Sequence, residues 1–420
     1  MSTALRSAPT REARLARLAV ALVFLTNGAL YANVVPRFPQ LKADLGLTNA
    51  ALGSAIAAMP AGALIAGLFA AALIRRFRSA RVASLGIVLL AVLVLAVAFA
   101  PNVWFLAAVF FAAGALDAVI DVAQNAHGLR VQRLYGRSIL NSLHGLWSVG
   151  AVVGGLMGSA AAGLSLALPM HLTISAVLFS LVALVALRFM LPGPDGAAAP
   201  APAASPAPGS PSPAPAPGSP SPAPAAPRRA AWSAHAVRML AVLGLLAACG
   251  ALVEDAGASW GAIYLRNELF TSAAVAGLAF VALQVAMTVG RLTGDRVVDR
   301  FGQRAVVRAG GAIAALGMGL ALAVPSVVTT LLGFALAGLG TATLVPAAMH
   351  SADELPGLPD GVGLTVSSWL LRVGFLLSAP LVGFIADLSS LRIGLLTVVA
   401  AGLLTVVCSR VLVNRVEHAH

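Results

Sequence analysis

The chain has 420 residues, of which 59% are hydrophobic and only 10% charged, with a mean hydropathy of +0.93. Soluble domains carry roughly a quarter charged residues, so this composition excludes an ordinary globular enzyme or binding module. The formal charge of +12 would suit a nucleic-acid partner, but where the charges fall, traced below, excludes that as well.

Twelve apolar runs follow one another: 16–36, 50–74, 82–100, 104–127, 139–163, 167–190, 237–264, 272–294, 305–323, 327–350, 363–385 and 392–413. Each is at or near the roughly 20 residues a helix needs to cross lipid. Open strands would leave backbone groups unmet in hydrocarbon, and the runs lack the alternation of a membrane barrel. All twelve are therefore predicted to be helices, making an all-α membrane protein. The basic-then-apolar start has the layout of a signal peptide. It is read instead as an uncleaved first span, because its "NGAL" (27–30) returns as "CGAL" (249–252).

Between spans 6 and 7, residues 191–233 hold 14 of the 25 prolines. With nothing apolar to pack, this stretch is expected to be an extended, solvated tether. The expected organisation is 1–190 as an amino-terminal six-helix bundle, 191–233 as linker, and 234–420 as a carboxy-terminal six-helix bundle.

If the amino terminus is placed in the cytoplasm, 22 of the 27 basic residues fall on the inner side. That is the positive-inside bias. The basic surplus thus sets orientation against a lipid bilayer, with both termini expected in the cytoplasm, and no nucleic-acid partner is expected. Cys249 and Cys408 both fall within spans and give no disulfide or metal spacing. No phosphate-binding G-x-x-x-x-G-K-[ST] stretch occurs, so neither a metal nor a cofactor is expected.

The two halves repeat. Gly53 matches Gly277, "RRF" 75–77 matches "DRF" 299–301, Gly114 matches Gly338, and "VG" 149–150 matches "VG" 373–374, all at an offset of 224. This repeat, with "GDRVVDRFGQR" (294–304) between spans 8 and 9, resembles the major facilitator superfamily across all but the tether. "DVAQNAHGLRVQRLYGRSILNSLHGLWSVG" (121–150) and "GASWGAIYLR" (257–266) are similar to its bacterial MosC-like branch, itself similar to fucose permease. The resemblance implies two pseudo-symmetric six-helix bundles in a bacterial inner membrane. They would work as a monomer by alternating access around a midplane site, with span 4 lining the cavity. The first half departs from the loop motif, since Arg75 and Arg78 stand where Asp and Gly belong. The arginine that drug/proton antiporters carry in span 4 is replaced by Phe110, and the acid that fucose-type symporters carry in span 1 is absent.

"GALDAVIDVAQNAHG" (114–128) places polar groups inside an apolar span. At about 100° per residue Asp117, Asp121 and Gln124 share a face, flanked by Asn125 and His127. A charge at the bilayer centre costs at least ~2.5–3.5 kcal/mol, so this stripe should face protein or water. Asn141, His144 and Trp147 on span 5 should lie level with it. Asn27, Tyr31, Glu254, Asp255, Gln284, Trp369 and Arg372 complete the expected cavity, with Thr341 as a further candidate. Arg372 keeps its charge and must meet either a carboxylate (Glu254, Asp255 or Asp117) or an anionic solute. Trp260 is a further candidate for stacking, while His171 and His235, near helix ends, should be solvated.

A cytoplasmic gate is expected on two diagonals. On one, Arg75, Arg76, Arg78 and Arg81 would meet Asp353, Glu354 and Asp360; on the other, Asp299, beside Arg300 and Gly302, would face Arg130, Arg133 and Arg137. The expected function is secondary transport of a small polar solute, sugar-like or carboxylated, coupled to H+. The alternatives are drug or metabolite efflux and, from another class, a non-transporting sensor or scaffold. An enzyme is not expected.

Overall fold

The computed structural model describes residues 10–193, 195, 234–356, 358–359 and 361–412. Among them no strand occurs and twelve helical spans are found: Arg11–Asp44, Asn49–Ala66, Ser79–Phe99, Val103–Tyr135, Leu140–Gly163, Leu168–Phe189, Ala234–Asn267, Ala273–Phe301, Gln303–Ala323, Val327–Asp353, Val362–Leu388 and Leu391–Val411. They are called spans 1 to 12. Number and order agree with the sequence reading. The boundaries move where a helix outlasts its apolar run. Span 4 continues past residue 127 through Arg130 and Arg133 to Tyr135, and span 8 continues to Phe301. Span 2 is followed after a break by a short helix, Ala70–Phe77, and span 10 is broken between Thr341 and Leu344.

Starts are written into the sequence. Side chains of Thr10, Thr48, Asn102, Ser272 and Ser326 each accept from a first-turn amide of the helix that follows, which satisfies donors the helix cannot.

Spans 1, 4 and 5 pack together, as do spans 2 and 4, and 3 with 4 and 6; spans 7 to 12 repeat the arrangement. Close approach between spans depends on missing side chains. A Cβ on Gly114 would lie 1.9 Å from the Met59 carbonyl oxygen, and one on Gly338 would lie 2.2 Å from the Leu283 carbonyl oxygen. Both residues of the first pair sit 224 positions before those of the second. The repeat is therefore one of contacts as well as letters.

The same holds at the turn after span 8. Gly302 has φ 81° and ψ 147°, and its counterpart Arg78 has φ 73° and ψ 145°. A non-glycine residue there is strained by roughly 1–3 kcal/mol. Arg76 over the Phe77 ring, 5.8 Å away, likewise repeats Arg300 over Phe301 at 5.5 Å.

The end carrying Arg75–Arg81 and Arg130–Arg137 is the basic end; the other is the far end. The two halves touch through spans 2 and 11 and through spans 5 and 8, pairs that exchange when the halves are swapped. Most of the contacts with side-chain detail fall towards the far end, although nearer the basic end a Cβ on Gly145 would lie 4.0 Å from Leu292 of span 8. Gly53 and Ala379, Asn49 and Gly383, Gly155 and Phe280, Ser159 and Gly277, and Gly163 and Ala274 all lie against one another.

Arg78→Gly should raise the apparent Tm in detergent, by the equivalent of about 1 kcal/mol once the extra entropy of an unfolded glycine is subtracted. Gly302→Ala should lower it. A fall for Arg78→Gly would mean that its side chain outweighs the backbone strain.

Candidate functional site

Polar side chains of the first half form two linked sets. Asn27 donates from Nδ2 to Asp117 Oδ1 at 2.7 Å and accepts at Oδ1 from Trp147 Nε1 at 2.8 Å. One asparagine thus ties spans 1, 4 and 5 together in the membrane interior. One turn further towards the basic end, Asp121 accepts from Gln124 Nε2 at 3.2 Å and from Asn125 Nδ2 at 3.0 Å. Asn125 Oδ1 in turn lies 3.1 Å from His144 Nε2, and the His144 ring meets Phe24 edge-on. Asp121, Asn141 and His144 are exposed, whereas Asp117, Asn125 and Trp147 are half-buried.

These groups face the other half. At about 100° per residue, His144 and Asn141 fall within about 40° of Gly155, the position that touches Phe280 of span 8. On span 8, Thr288 and Arg291 continue the face of Gly277, which touches Ser159. On span 11, Thr365, Trp369 and Arg372 continue the face of Gly383, which touches span 2. The faces that meet at the far end carry polar, exposed residues towards the basic end, among them Asn141, His144, Arg291 and Arg372.

In the second half Glu254 Oε2 pairs with Arg291 Nη2 at 3.0 Å. Asp255 Oδ1 accepts from Ser259 Oγ at 3.3 Å, and its Oδ2 is buried without a hydrogen-bond partner. Arg372 is exposed and makes no ion pair among the described residues. The expected pairing with Glu254 fails because Arg291, which shares a wall with Glu254, occupies it. Trp369 is 48% exposed beside Arg372.

Several expectations are corrected. Gln124 is 0% exposed, with Oε1 unpartnered. It points into the first bundle and reaches the open face only through Asp121. Gln284 is buried, and Thr341 donates to the Ala337 carbonyl of its own helix. Tyr31 packs edge-on against Phe38 and Phe110, joining an aromatic cluster. Trp260 is fully buried, so it cannot stack on a solute. His171 is 4% exposed and bonded through Nε2 to Asn33 Oδ1 at 2.8 Å, whereas His235 is exposed as expected.

At the basic end, Arg75, Arg76 and Arg78 are exposed and form no ion pair among the described residues; neither do Asp299, Asp353 and Arg300. Glu354 lies 3.9 Å from His350 of its own helix, Gly302 serves the turn described above, and Asp360 lies outside the described residues. Arg130 has turned away from Asp299. It donates to the Pro192 and Gly193 carbonyls and lies 3.8 Å from Asp195. Asp195 also accepts from the Ser79 amide at 2.7 Å and from its hydroxyl, which contacts the buried His127. The first residues of the expected tether are therefore fastened to the start of span 3; residues 196–233 lie outside the described residues.

The far end has a counterpart of a gate that sequence reading missed. Asp387, near the end of span 11, accepts from the Asn49 amide at 2.9 Å, the Asn49 Nδ2 at 2.9 Å and the Ala50 amide at 2.7 Å. It caps span 2 from the other half, adding charge–dipole attraction to three hydrogen bonds. Its only sequence signal is an acid two residues before a serine pair at a span end. Arg291, which the sequence reading counted only among the inner-side basic residues, lies seven residues after Gln284 on one helix face.

Asp387→Ala should cost the far-closed state about 1 kcal/mol, roughly a fivefold loss of population. Spin labels at the far ends of spans 2 and 11 should then show a larger long-distance fraction. An unchanged distance distribution would mean that apolar packing alone closes this end.

The sequence profile of the Major Facilitator Superfamily matches residues 20–259 and 243–420. An uncharacterized MFS-type transporter of Yersinia pestis is 28% identical over 418 residues, covering 99% of this chain and 100% of its own. Membrane protein MosC of Rhizobium meliloti is 28% identical over 401 residues, covering 94% and 90%. Among solved structures, the nucleoside transporter NupG superposes with a TM-score of 0.68 at 12% identity, covering 94% of this chain and 97% of its own. A bacterial homolog of the human lysosomal transporter Spinster gives 0.66 at 16%, covering 94% and 95%. With twelve spans, matched halves and these relatives, the chain belongs to the Major Facilitator Superfamily and is a multi-pass secondary transporter, not an enzyme.

Proposed function

We propose that the protein moves a small polar solute, sugar-like or carboxylated, by alternating access between two six-helix bundles, and that the movement is linked to H+. The observation that carries this reading is Arg372. Its guanidinium stays charged at any relevant pH, stands exposed on the face that continues into the interface between the halves, and has no carboxylate bound to it among the described residues. A cation left unpaired on a span is costly in lipid and useful in a wet chamber that receives an anion. Opposite it, Asp121, Asn125 and His144 offer acceptors and donors suited to hydroxyl or amine groups, and Trp369 offers an aromatic face.

The Asn27–Asp117–Trp147 link suits proton coupling. Asp117 has one bonded oxygen, and its partner Asn27 is shared with span 5. Protonating Asp117 would weaken the bond from Asn27 and loosen span 1 from span 4, which ties proton occupancy to helix position.

The positive-inside rule makes the basic end the cytoplasmic one in this reading, and a molecule joined at the far end would then open inward. The absence of ion pairs at Arg75, Arg76, Arg78, Asp299 and Asp353 among the described residues supports that state. When the basic ends close, Arg75, Arg76 and Arg78 would approach Asp353 and Glu354, and Asp299 would approach Arg133 and Arg137. Many such latches at exposed positions contribute only about 0–1 kcal/mol each. Their joint effect is to bias the balance between states and leave each state sound.

Three outcomes are expected. In a thermal-shift panel of small metabolites at two pH values, at least one carboxylated compound should stabilise the parent and lose that effect in Arg372→Ala. Stabilisation by neutral sugars alone, unchanged in the variant, would reject the anionic solute. Asp117→Asn in proteoliposomes should keep solute counterflow while losing solute-driven alkalinisation of the medium; loss of both together would make Asp117 a binding group only. Asp353→Lys with Glu354→Lys should shift the population further towards the inward-open state, read by cysteine labelling of Asn141→Cys. Unchanged labelling would remove the gate.

A further inference from the structure

At the far end, away from the polar chamber, a cavity of about 450 Å³ lies between the halves. Arg37, Gln40 and Asp44 line it from the first half, Arg266 and Asn267 from the second, with the Leu166 carbonyl near its wall. Arg37 is 2% exposed. Its Nη2 donates to the Leu166 carbonyl at 2.7 Å, while Nε and Nη1 are buried with no hydrogen-bond partner. The other charged neighbour of the first half, Asp44, forms no ion pair with it among the described residues. Across the cavity Arg266 uses Nη1 to bond the Thr271 carbonyl at 2.6 Å, and the residue itself is exposed.

A buried guanidinium with unmet donors is a costly arrangement. Leaving a buried charge without its partner costs about 3–5 kcal/mol in proteins where it has been measured. Water could meet some of these donors, and Asp44 acts on the charge from a distance without pairing with it; an anion in the cavity would meet both needs at once. Two arginines and one aspartate line the cavity, so its walls carry one net positive charge. That balance suits a monoanion better than a phosphate dianion. The volume is several times that of a carboxylate group, so the ligand can carry a hydroxylated body of a few carbons against Gln40 and Asn267.

We propose that this far-end cavity is a binding site for a small soluble monocarboxylate, held by Arg37 of the first half and Arg266 of the second. The site is separate from the central chamber and does not depend on which solute the chamber carries. Its ligand would touch both halves on the side where they are closed.

The test is thermal unfolding of the full-length protein in detergent, titrated at constant ionic strength with sodium gluconate, sodium acetate, sodium chloride or sorbitol, the uncharged six-carbon polyol. Gluconate and acetate should give a saturable rise in apparent Tm, and chloride and sorbitol should not. Arg37→Gln should unfold no earlier than the parent without added anion, because it removes the uncompensated charge, and should lose the saturable rise. Arg372→Ala, which alters only the central chamber, should keep it. Should Arg37→Gln fail to fold, Arg266→Gln, at an exposed position, should weaken the half-saturating gluconate concentration at least tenfold. The proposal is overturned if no monocarboxylate gives a saturable rise. It is equally overturned if the rise survives in Arg37→Gln, if Arg266→Gln leaves the half-saturating gluconate concentration unchanged, or if the rise vanishes in Arg372→Ala, since the anion would then sit in the chamber.

Discussion

Hydrocarbon offers no hydrogen bonds, so every polar group carried into the membrane must find protein or water. That constraint organises this molecule. Asp117 is met by Asn27, Glu254 by Arg291, Asp121 by its neighbours on span 4. The groups left exposed, chiefly His144, Asn141 and Arg372, sit on faces that become the inter-bundle contacts further along each helix. A chamber between the bundles, lined by these faces and closed at the far end, would satisfy all of them.

The same duplication that builds the bundles builds their motion. Gly114 against Met59 and Gly338 against Leu283 hold equivalent helices at equivalent distances, so each half moves as a packed unit. What differs between halves is polar. The first carries its acids on span 4 with amide partners, whereas the second carries an acid–arginine pair and a lone arginine. The facing walls of the two halves are therefore chemically unlike. Closure at the far end is also polar in part, since Asp387 caps a helix of the opposite half. That contact can be broken by water without unfolding either bundle.

Much of this was legible in the sequence. Hydropathy gave twelve spans, the offset of 224 gave the repeat, and helical periodicity put Asp117 and Asp121 on a shared face. It also anticipated that Arg78 fills a glycine position, which the backbone of Arg78 and Gly302 bears out. Periodicity fixes angles within one helix and says nothing of how that helix is rotated against its neighbours. For that reason Gln124 was placed in the cavity although it points into the bundle, and Trp260 was offered to a solute although it is sealed in packing. Pairing failed for the same reason. Glu254 has several cations within plausible reach by sequence, and only the relative depth of spans 7 and 8 selects Arg291 over Arg372. Asp387 escaped because an acid at a span end is ordinarily solvated, and its partner lies in the other half.

The central claim is that a water-filled chamber, open at the basic end, runs between the bundles to Asp121 and Arg372. The direct measurement uses a chain with Cys249 and Cys408 replaced by serine, carrying either Asn141→Cys or Thr365→Cys. Each is treated with a membrane-impermeant thiol reagent in inside-out and right-side-out vesicles. The account predicts rapid labelling of both positions from the cytoplasmic side and slow labelling from the other. Labelling only by a lipid-soluble reagent, at equal rates in both orientations, would place these faces against acyl chains and contradict it.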